Sequence, residues 1–124
     1  MKKLALITVV VLISSICTGQ TNGNEMLTIQ SGNDNSIISD QFGSSNDLKI
    51  YQYGNENFSN GYQSGNGHHL YMELIGNENS SDIIQNGMNN YAALHCEGNS
   101  NLVTQTQIGG SYNEPFNLSR VQAY

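Results

Sequence analysis

Few side chains of this chain have the types and spacings that chemistry would need. His68, His69 and His95 could bind a metal ion, but no Cys/His spacing typical of a zinc site is present. If the surrounding residues form a strand, His68 and His69 point to opposite faces and cannot share an ion. No serine or cysteine nucleophile has a recognisable His and acid partner. We therefore predict no enzymatic activity, no cofactor and no metal site.

A second candidate is a set of three carboxylates, Asp34, Glu56 and Glu78, which recur at an equal spacing. If the chain winds with the same period, they lie in one column along a turn, where their oxygens could bind Ca²⁺. The same column could instead limit premature aggregation through repulsion between like charges. Glycosidase chemistry needs a pair of carboxylates across a substrate, which this arrangement does not offer. We favour the role in charge repulsion.

Residues 1–19 are typical of a secretory signal peptide. A basic start precedes an apolar run over residues 4–13, and small residues follow it. We predict cleavage after Gly19. The alternative is a lipoprotein acylated at Cys17, although Ile16 is a poor fit to the small residue that lipoprotein processing favours.

The rest of the chain is acidic and nearly free of cations. The formal net charge is −6, from four Lys and Arg against ten Asp and Glu. Beyond the predicted signal peptide the only cations are Lys49 and Arg120, so phosphates find no basic surface and we predict no nucleic-acid partner. Loss of Cys17 would leave Cys96 alone, which excludes an intramolecular disulfide. We expect Cys96 to be a small buried thiol.

The strongest signal in the sequence is a repeat of eleven residues. Glycine recurs at that spacing at Gly32, Gly43, Gly54, Gly65, Gly76, Gly87, Gly98 and Gly109. Two residues before these glycines stand Gln30, Gln41, Gln52, Gln63, Gln85 and Gln107, with Leu74 and Cys96 as exceptions. Three residues after them stand Asn35, Asn46, Asn57, Asn79, Asn90 and Asn101, with His68 and Tyr112 as exceptions. The unit is therefore Q-x-G-x-x-N followed by five variable residues.

The elements that this repeat implies are short strands. An eleven-residue period also occurs in right-handed coiled coils, but one glycine per unit costs a helix about 1 kcal/mol relative to alanine. We predict a strand from each Asn to the next Gln and a turn of four residues at the glycine, whose positive φ suits a tight reversal. The predicted strands are residues 24–30, 35–41, 46–52, 57–63, 68–74, 79–85, 90–96, 101–107 and 112–118. Two units of eleven then form one rung, and each strand stacks in parallel on the strand two units later.

Alternation within these strands assigns the interior. The third and fifth positions share a face with the motif Asn and Gln. These positions are mostly large and apolar in odd-numbered strands and mostly small in even-numbered ones, as two sheets sharing a thin core require. The sequence therefore predicts an all-β, two-sheet β-solenoid with the apolar core Met26, Ile37, Leu48, Ile50, Leu70, Met72, Ile83, Leu94 and Val103.

The inward amides would form columns along such a solenoid. Two columns are unbroken: Asn35, Asn57, Asn79 and Asn101, and Gln41, Gln63, Gln85 and Gln107. The other two contain Asn24, Asn46 and Asn90, and Gln30 and Gln52. Stacked amides hydrogen-bond along a cross-β column at about 4.8 Å per rung, and a buried amide is costly unless paired. We predict that these columns carry assembly, since Gln is not a favoured turn residue.

We predict three parts: the signal peptide 1–19, a repeat domain 20–111, and a degenerate last repeat 112–124 that serves as a cap or an attachment segment. The last unit departs from the motif at Tyr112, Glu114, Pro115 and Leu118. A proline in a strand and a charge facing inward both block pairing at a sheet edge. The first predicted strand instead offers an uncovered edge to a further molecule.

The repeat resembles the curlin repeat of bacterial curli fimbriae over residues 24–118, and the stretch 48–54 followed by Asn57 is especially similar. The resemblance implies a subunit secreted across the outer membrane by dedicated machinery and assembled at the cell surface into amyloid fibres for biofilm and adhesion. It implies as partners further copies of the chain and a second curlin-type subunit. His68, Leu74, Cys96 and Tyr112 depart from the motif and leave open whether the chain is a major or a nucleating subunit.

Two other classes of function compete with a fibre subunit. A monomeric secreted β-solenoid could bind a surface ligand such as carbohydrate or ice, but it should show a flat outward column of one residue type and caps at both ends. The outward positions here are irregular. An enzyme on a parallel β-helix is less favoured still, because the rungs are short and lack an acid cluster.

Overall fold

The computed structural model describes residues 23–109 and the backbone of residues 116–121. The predicted signal peptide lies outside the described residues. The described strands are β1 (Glu25–Ser31), β2 (Ser36–Ser44), β3 (Asp47–Asn55), β4 (Phe58–Asn66), β5 (His69–Asn77), β6 (Ser80–Met88), β7 (Tyr91–Glu97), β8 (Leu102–Gly109) and β9 (Phe116–Val121).

The strands form two parallel sheets. The odd sheet has the order β1-β3-β5-β7-β9 and the even sheet the order β2-β4-β6-β8. Each strand from β1 to β6 pairs with the strand two repeat units later, for example Leu48 with Leu70 and Gln63 with Gln85. Successive strands lie in opposite sheets, so two strands and two turns complete one rung. The predicted β-solenoid, with two sheets and two repeat units per rung, is confirmed.

The strand limits differ from the prediction in one systematic way. Each strand from β1 to β8 begins one residue after the motif Asn position, which His68 holds before β5, and the strands from β2 to β6 continue through the motif glycine. The predicted turn of four residues is therefore wrong for these units. Pairing persists because glycines of successive rungs stay in register, as Gly43 with Gly65 and Gly54 with Gly76.

The ninth strand departs from the repeat. It was predicted at 112–118, but β9 is Phe116–Val121, directly after Pro115, which cannot donate a backbone hydrogen bond. Ala92 pairs with Phe116 instead of the residue two repeat units later, and the register shifts again between His95 and Cys96. The predicted departures Tyr112, Glu114 and Pro115, and the side chain of Leu118, lie outside what the structure describes.

The core lies between the two sheets. Its buried residues are Leu48, Ile50, Leu70, Met72, Leu74, Ile83, Ala92, Leu94, Cys96 and Val103, with Met26 and Ile37 partly buried against them. The odd sheet supplies most of the volume and the even sheet contributes small residues, as the alternation predicts. At Gly61 of β4 an added Cβ would lie 2.9 Å from Leu70 Cδ2 and 3.1 Å from Leu48 Cδ1, so the absence of a side chain there makes room for the leucines.

Candidate assembly site: the stacked amide columns

The even-sheet Gln column consists of Gln41, Gln63, Gln85 and Gln107. Nε2 of each glutamine donates to Oε1 of the next, at 2.8 Å from Gln41, 2.9 Å from Gln63 and 2.8 Å from Gln85. Gln63 and Gln85 are fully buried. A continuous chain of side-chain hydrogen bonds therefore runs along the long axis of the solenoid.

The same glutamines also link the two sheets. Nε2 of Gln63 donates to the carbonyl of Asp47 (3.1 Å) and Nε2 of Gln85 to that of His69 (3.1 Å), each at the start of the preceding odd-sheet strand. Gln41 and Gln107 make the same bond to Glu25 and Tyr91. Both N–H groups of an internal Gln thus have an acceptor, which compensates for burying an amide.

The odd-sheet Gln column is interrupted. Nε2 of Gln30 donates to Oε1 of Gln52 (3.1 Å), but the next positions are Leu74 and Cys96, both buried. Gln52 Nε2 donates instead to Oγ of Ser59 in the facing sheet (2.8 Å). Cys96 is a free buried thiol, as predicted, and burial raises its pKa, while a hydrogen bond with Asn101 acts in the opposite direction. In the later rungs, apolar packing of Leu74 and Cys96 therefore replaces the amide hydrogen bonds of the odd-sheet Gln column.

The even-sheet Asn column consists of Asn35, Asn57, Asn79 and Asn101. Oδ1 of each asparagine accepts from the backbone N–H of the next, at 3.0 Å from Asn57 and 3.1 Å from Asn79 and Asn101. Nδ2 of Asn57 and of Asn79 donates to the carbonyl of the motif glycine 19 residues later, at 2.9 Å in both cases. Asn57 and Asn79 therefore hydrogen-bond both to the turn backbone of the adjacent rung and to their neighbours in the column.

The odd-sheet Asn column consists of Asn24, Asn46, His68 and Asn90, and the histidine replaces the amide in function. His68 N–H donates to Asn46 Oδ1 (3.0 Å), Asn90 N–H donates to His68 Nδ1 (3.2 Å), and His68 Nε2 lies 3.1 Å from the carbonyl of Ser64. A backbone N–H can only donate and a carbonyl can only accept, so the imidazole is neutral with its proton on Nε2. His68 is therefore hydrogen-bonded to both of its neighbours in the column, although the sequence alone marked it only as an exception to the motif.

A further asparagine column was missed in the sequence. Asn55 Oδ1 accepts from Asn33 N–H at 3.0 Å, Asn77 Oδ1 from Asn55 N–H at 3.0 Å, and Asn99 Oδ1 from Asn77 N–H at 2.9 Å. Each of these asparagines directly follows the motif glycine of every second unit. That recurring Gly-Asn pair is the sequence signal that could have predicted this column.

The turns contain two residues with positive φ. The motif glycine is the first, with φ of 122° at Gly54 and at Gly76. A Cβ at Gly54 would overlap the carbonyl oxygen of Gly76 in the next rung, so glycine is required by space as well as by conformation. The second residue directly precedes the motif Asn: the predicted carboxylates Glu56 and Glu78 hold this position at φ 56° and 57°.

The predicted carboxylate column and the histidines form no metal site within the described range. No group of three or more His, Cys, Asp or Glu side chains there could hold a metal ion. Glu78 accepts a hydrogen bond from Ser100 Oγ (3.1 Å), and His95 Nδ1 lies 2.9 Å from Glu73 Oε2 on the outer face of the odd sheet. His68 and His69 lie on opposite faces, one buried and the other exposed, as predicted.

The outer face of the odd sheet carries most of the remaining charged contacts. A hydrogen bond to Asp47 (2.6 Å) raises the pKa of Lys49. Burial, and then the charge of Glu73, raises the pKa of Tyr71, whose ring packs on Tyr51 at 5.6 Å between centroids. In the part of the chain that is described, no helix has the length and apolar character to span a membrane.

Comparison with known proteins agrees with this repeat geometry. The family model for the Curlin associated repeat matches residues 21–54 and 76–109, which together make up more than half of the chain. The intervening residues contain two of the motif exceptions, His68 and Leu74. No curated protein and no solved structure matches the chain.

Proposed function

Because the chain belongs to the curlin repeat family, we propose that it is a secreted subunit that assembles with copies of itself into extracellular curli-type amyloid fibres. Curlin repeat proteins are structural fibre subunits and not enzymes. The fibres would serve the biofilm matrix and cell adhesion.

The observation that carries this proposal is that the solenoid begins with an incomplete interior. Met26 and Ile37 in the first rung are only partly buried, whereas Leu48 and Ile50 in the next rung are fully buried. Nothing among the described residues covers the outer edges of β1 and β2. An uncovered strand edge with apolar residues beside it is a template for pairing, and a further rung would complete the burial.

The amide columns support the same proposal. A parallel stack in register with continuous Asn and Gln columns is the arrangement of cross-β fibres. Each added copy would extend the two unbroken columns of the even sheet, so polymerisation satisfies groups that these columns leave unpaired at their described ends. We propose the Asn and Gln columns, with the motif glycines, as the elements that carry assembly.

The remaining assignments follow from family membership and the sequence. We propose that residues 1–19 direct secretion, that residues 20–111 form the fibre-building repeat, and that residues 112–124 cap or attach the subunit. The partners would be further copies, a second curlin-type subunit and outer-membrane secretion machinery, at the cell surface.

Fibre formation by the purified protein tests the proposal. We expect thioflavin-positive fibres whose diffraction shows a reflection at about 4.8 Å, the strand spacing of cross-β structure. A protein that stays monomeric and unfolds in one sharp thermal transition would instead support a monomeric ligand-binding solenoid. The irregular outward column Tyr51, Glu73 and His95 gives that alternative no support.

A further inference from the structure

The outer faces of the two sheets carry three pairs of aromatic rings in contact, counted over the described residues. They are Phe42 with Tyr62, Tyr51 with Tyr71, and His69 with Tyr91, at 5.7, 5.6 and 6.4 Å between ring centroids. Of these three, the pair Tyr51–Tyr71 alone consists of two phenols. A phenol that loses one electron and its proton becomes a phenoxyl radical, and two such radicals couple when their rings are close. The contact between Tyr51 and Tyr71 therefore has the composition that this chemistry needs.

Tyr51 and Tyr71 belong to adjacent strands of the odd sheet. In the register of β3 with β5, Tyr51 pairs with Glu73 and Tyr71 pairs with Lys49, so the two tyrosines are diagonal neighbours on one face. Their ring planes are tilted by 41° to each other. Tyr71 is 36% exposed and Tyr51 is half-buried, so both rings border on solvent. An oxidant in solution can therefore reach the pair, and neither ring is locked inside the core.

Glu73 provides a proton acceptor beside this pair. Its carboxylate forms a hydrogen bond with Tyr71, and its Oε2 lies 2.9 Å from His95 Nδ1, which holds the carboxylate in place. Burial, and then the charge of Glu73, raises the pKa of Tyr71, so this phenol keeps its proton at neutral pH. Oxidation of a protonated phenol must release the proton together with the electron, and a positioned carboxylate assists that transfer.

We propose that Tyr51 and Tyr71 form a site of oxidative modification, at which hydrogen peroxide and a haem peroxidase couple the two rings into dityrosine. Each phenol loses one electron and its hydroxyl proton, which Glu73 accepts from Tyr71. The two radicals then form one carbon–carbon bond between ring positions ortho to the oxygens. The hydrogens on the joined carbons move to the oxygens and restore both phenols. The two electrons and two protons cleave the O–O bond of peroxide and yield two molecules of water.

The product would join two rungs of the solenoid by a covalent bond. The link closes a loop of about 20 residues, and a cross-link of this kind stabilises a fold by restricting the unfolded chain. It would also keep β3 and β5 together when their backbone pairing opens. Because both tyrosines belong to one chain, this inference stands on the fold of the single subunit and goes beyond fibre assembly.

Peroxidase treatment of the purified, folded chain at low protein concentration tests the site. Cleavage after glutamate places Tyr51 in the peptide 26–56 and Tyr71 in the peptide 57–73. We expect mass spectrometry to find these two peptides joined with the loss of two hydrogen atoms, in a product of monomer mass. The product should show dityrosine fluorescence and unfold at a higher urea midpoint. The same treatment in concentrated urea, where the ring contact is lost, should not give this specific link.

Conservative variants assign the link to the two rings. Tyr51→Phe and Tyr71→Phe keep an aromatic ring at each position but remove the oxidisable hydroxyl, so either change should abolish the joined peptides. Tyr53→Phe and Tyr62→Phe are the matched controls and should give the wild-type product. Tyr53 is 38% exposed, as accessible as Tyr71, but its register partner is Ile75. A link that forms through Tyr53 or Tyr62, or that persists without Tyr51 or Tyr71, would overturn the site.

Glu73→Gln tests the proton acceptor separately. Glutamine keeps the size of the side chain but is not a base, so coupling should occur at the same ring pair and slow by at least about tenfold. A positioned base contributes about 10²–10⁴-fold to proton transfer, and water can replace part of that effect. An unchanged rate would refute the role of Glu73, and cross-linked dimers without the link inside one chain would refute the site. None of these measurements depends on fibre formation.

Discussion

At individual positions, side chains act by completing hydrogen bonds between rungs. Gln63 accepts from Gln41 and donates to Gln85 and to the carbonyl of Asp47. Asn57 and Asn79 likewise bind the turn backbone of the adjacent rung. His68 shows that the requirement is a donor and an acceptor in the right places and not an amide as such. Outward side chains such as Lys49 bind only to neighbours on a solvated face.

Gln63→Ala should therefore weaken both the folded chain and the fibre. It leaves a half-buried donor of Gln41 and a buried acceptor of Gln85 without partners, and an unpaired group that is fully buried costs about 1–3 kcal/mol. We expect a lower urea midpoint and much slower elongation in seeded thioflavin assays. The control is Lys49→Ala on the outer face, which should change both far less. Equal growth rates for the two variants would refute the role of the Gln column.

The strands and turns depend on close approach between backbones. Successive turns stack so tightly that the motif glycines of neighbouring rungs touch, and a residue with φ near 56° precedes each of Asn46 and Asn57. Between the sheets, Gly61 admits the side chains of Leu48 and Leu70. Bulky residues on one sheet therefore require a nearly empty position on the other.

Gly61→Val should overpack the core although valine favours strands. Its methyl groups would displace Leu70 and Leu48, and we expect a loss of about 1–3 kcal/mol in the free energy of unfolding. Ala93→Val, on the outer face of the odd sheet, serves as the matched control and should be nearly neutral. In the double variant Gly61→Val with Leu70→Ala, the two losses should be less than additive, because the shorter side chain vacates the space. Strictly additive losses in urea unfolding would contradict the packing argument.

The whole molecule is an open stack with unlike ends. Among the described residues, no strand covers the outer edges of β1 and β2 at the N-terminal end or the outer edge of β8 at the C-terminal end, where β9 covers β7. A further copy stacked on this end would bring its β1 to the edge of β7, which β9 occupies with a shifted register. β1 would restore the regular period of two repeat units there, so β9 and the incoming strand compete for one edge.

Deletion of residues 112–124 should therefore speed fibre growth, because it uncovers β7 next to β8 and lets both strands pair with a further copy. If the same segment attaches the subunit, cells should also retain less of the truncated protein. Deletion of residues 122–124 alone keeps β9 and is the control. Elongation rates in seeded assays and cell-bound protein are the measurements. Slower fibre growth after deletion of residues 112–124 would mean that the last unit is an ordinary growing rung.

The architecture was predictable because the repeat is regular. The spacing of Gly32 and its successors defined the units, and alternation assigned the buried face at positions such as Leu48 and Ile83. Alternate residues of a strand lie on the same face, and repeats of equal length stack on one another. The assignment of strands to sheets and their parallel register could therefore be predicted from the sequence. The amides of the unbroken columns, such as Gln63 and Asn79, were identified by the same reasoning.

The tertiary structure decided what depends on contacts between rungs. Strand ends extend past the predicted Gln because stacked glycines keep pairing, and β9 changes register beyond Pro115. The opposite directions of the Gln and Asn columns are also absent from the sequence, since a residue type does not say which amide atom faces which neighbour. Neither does it say that His68 can replace an asparagine. Hydrogen-bond direction is a property of three-dimensional packing, and that direction gives the two ends of this subunit different chemistry.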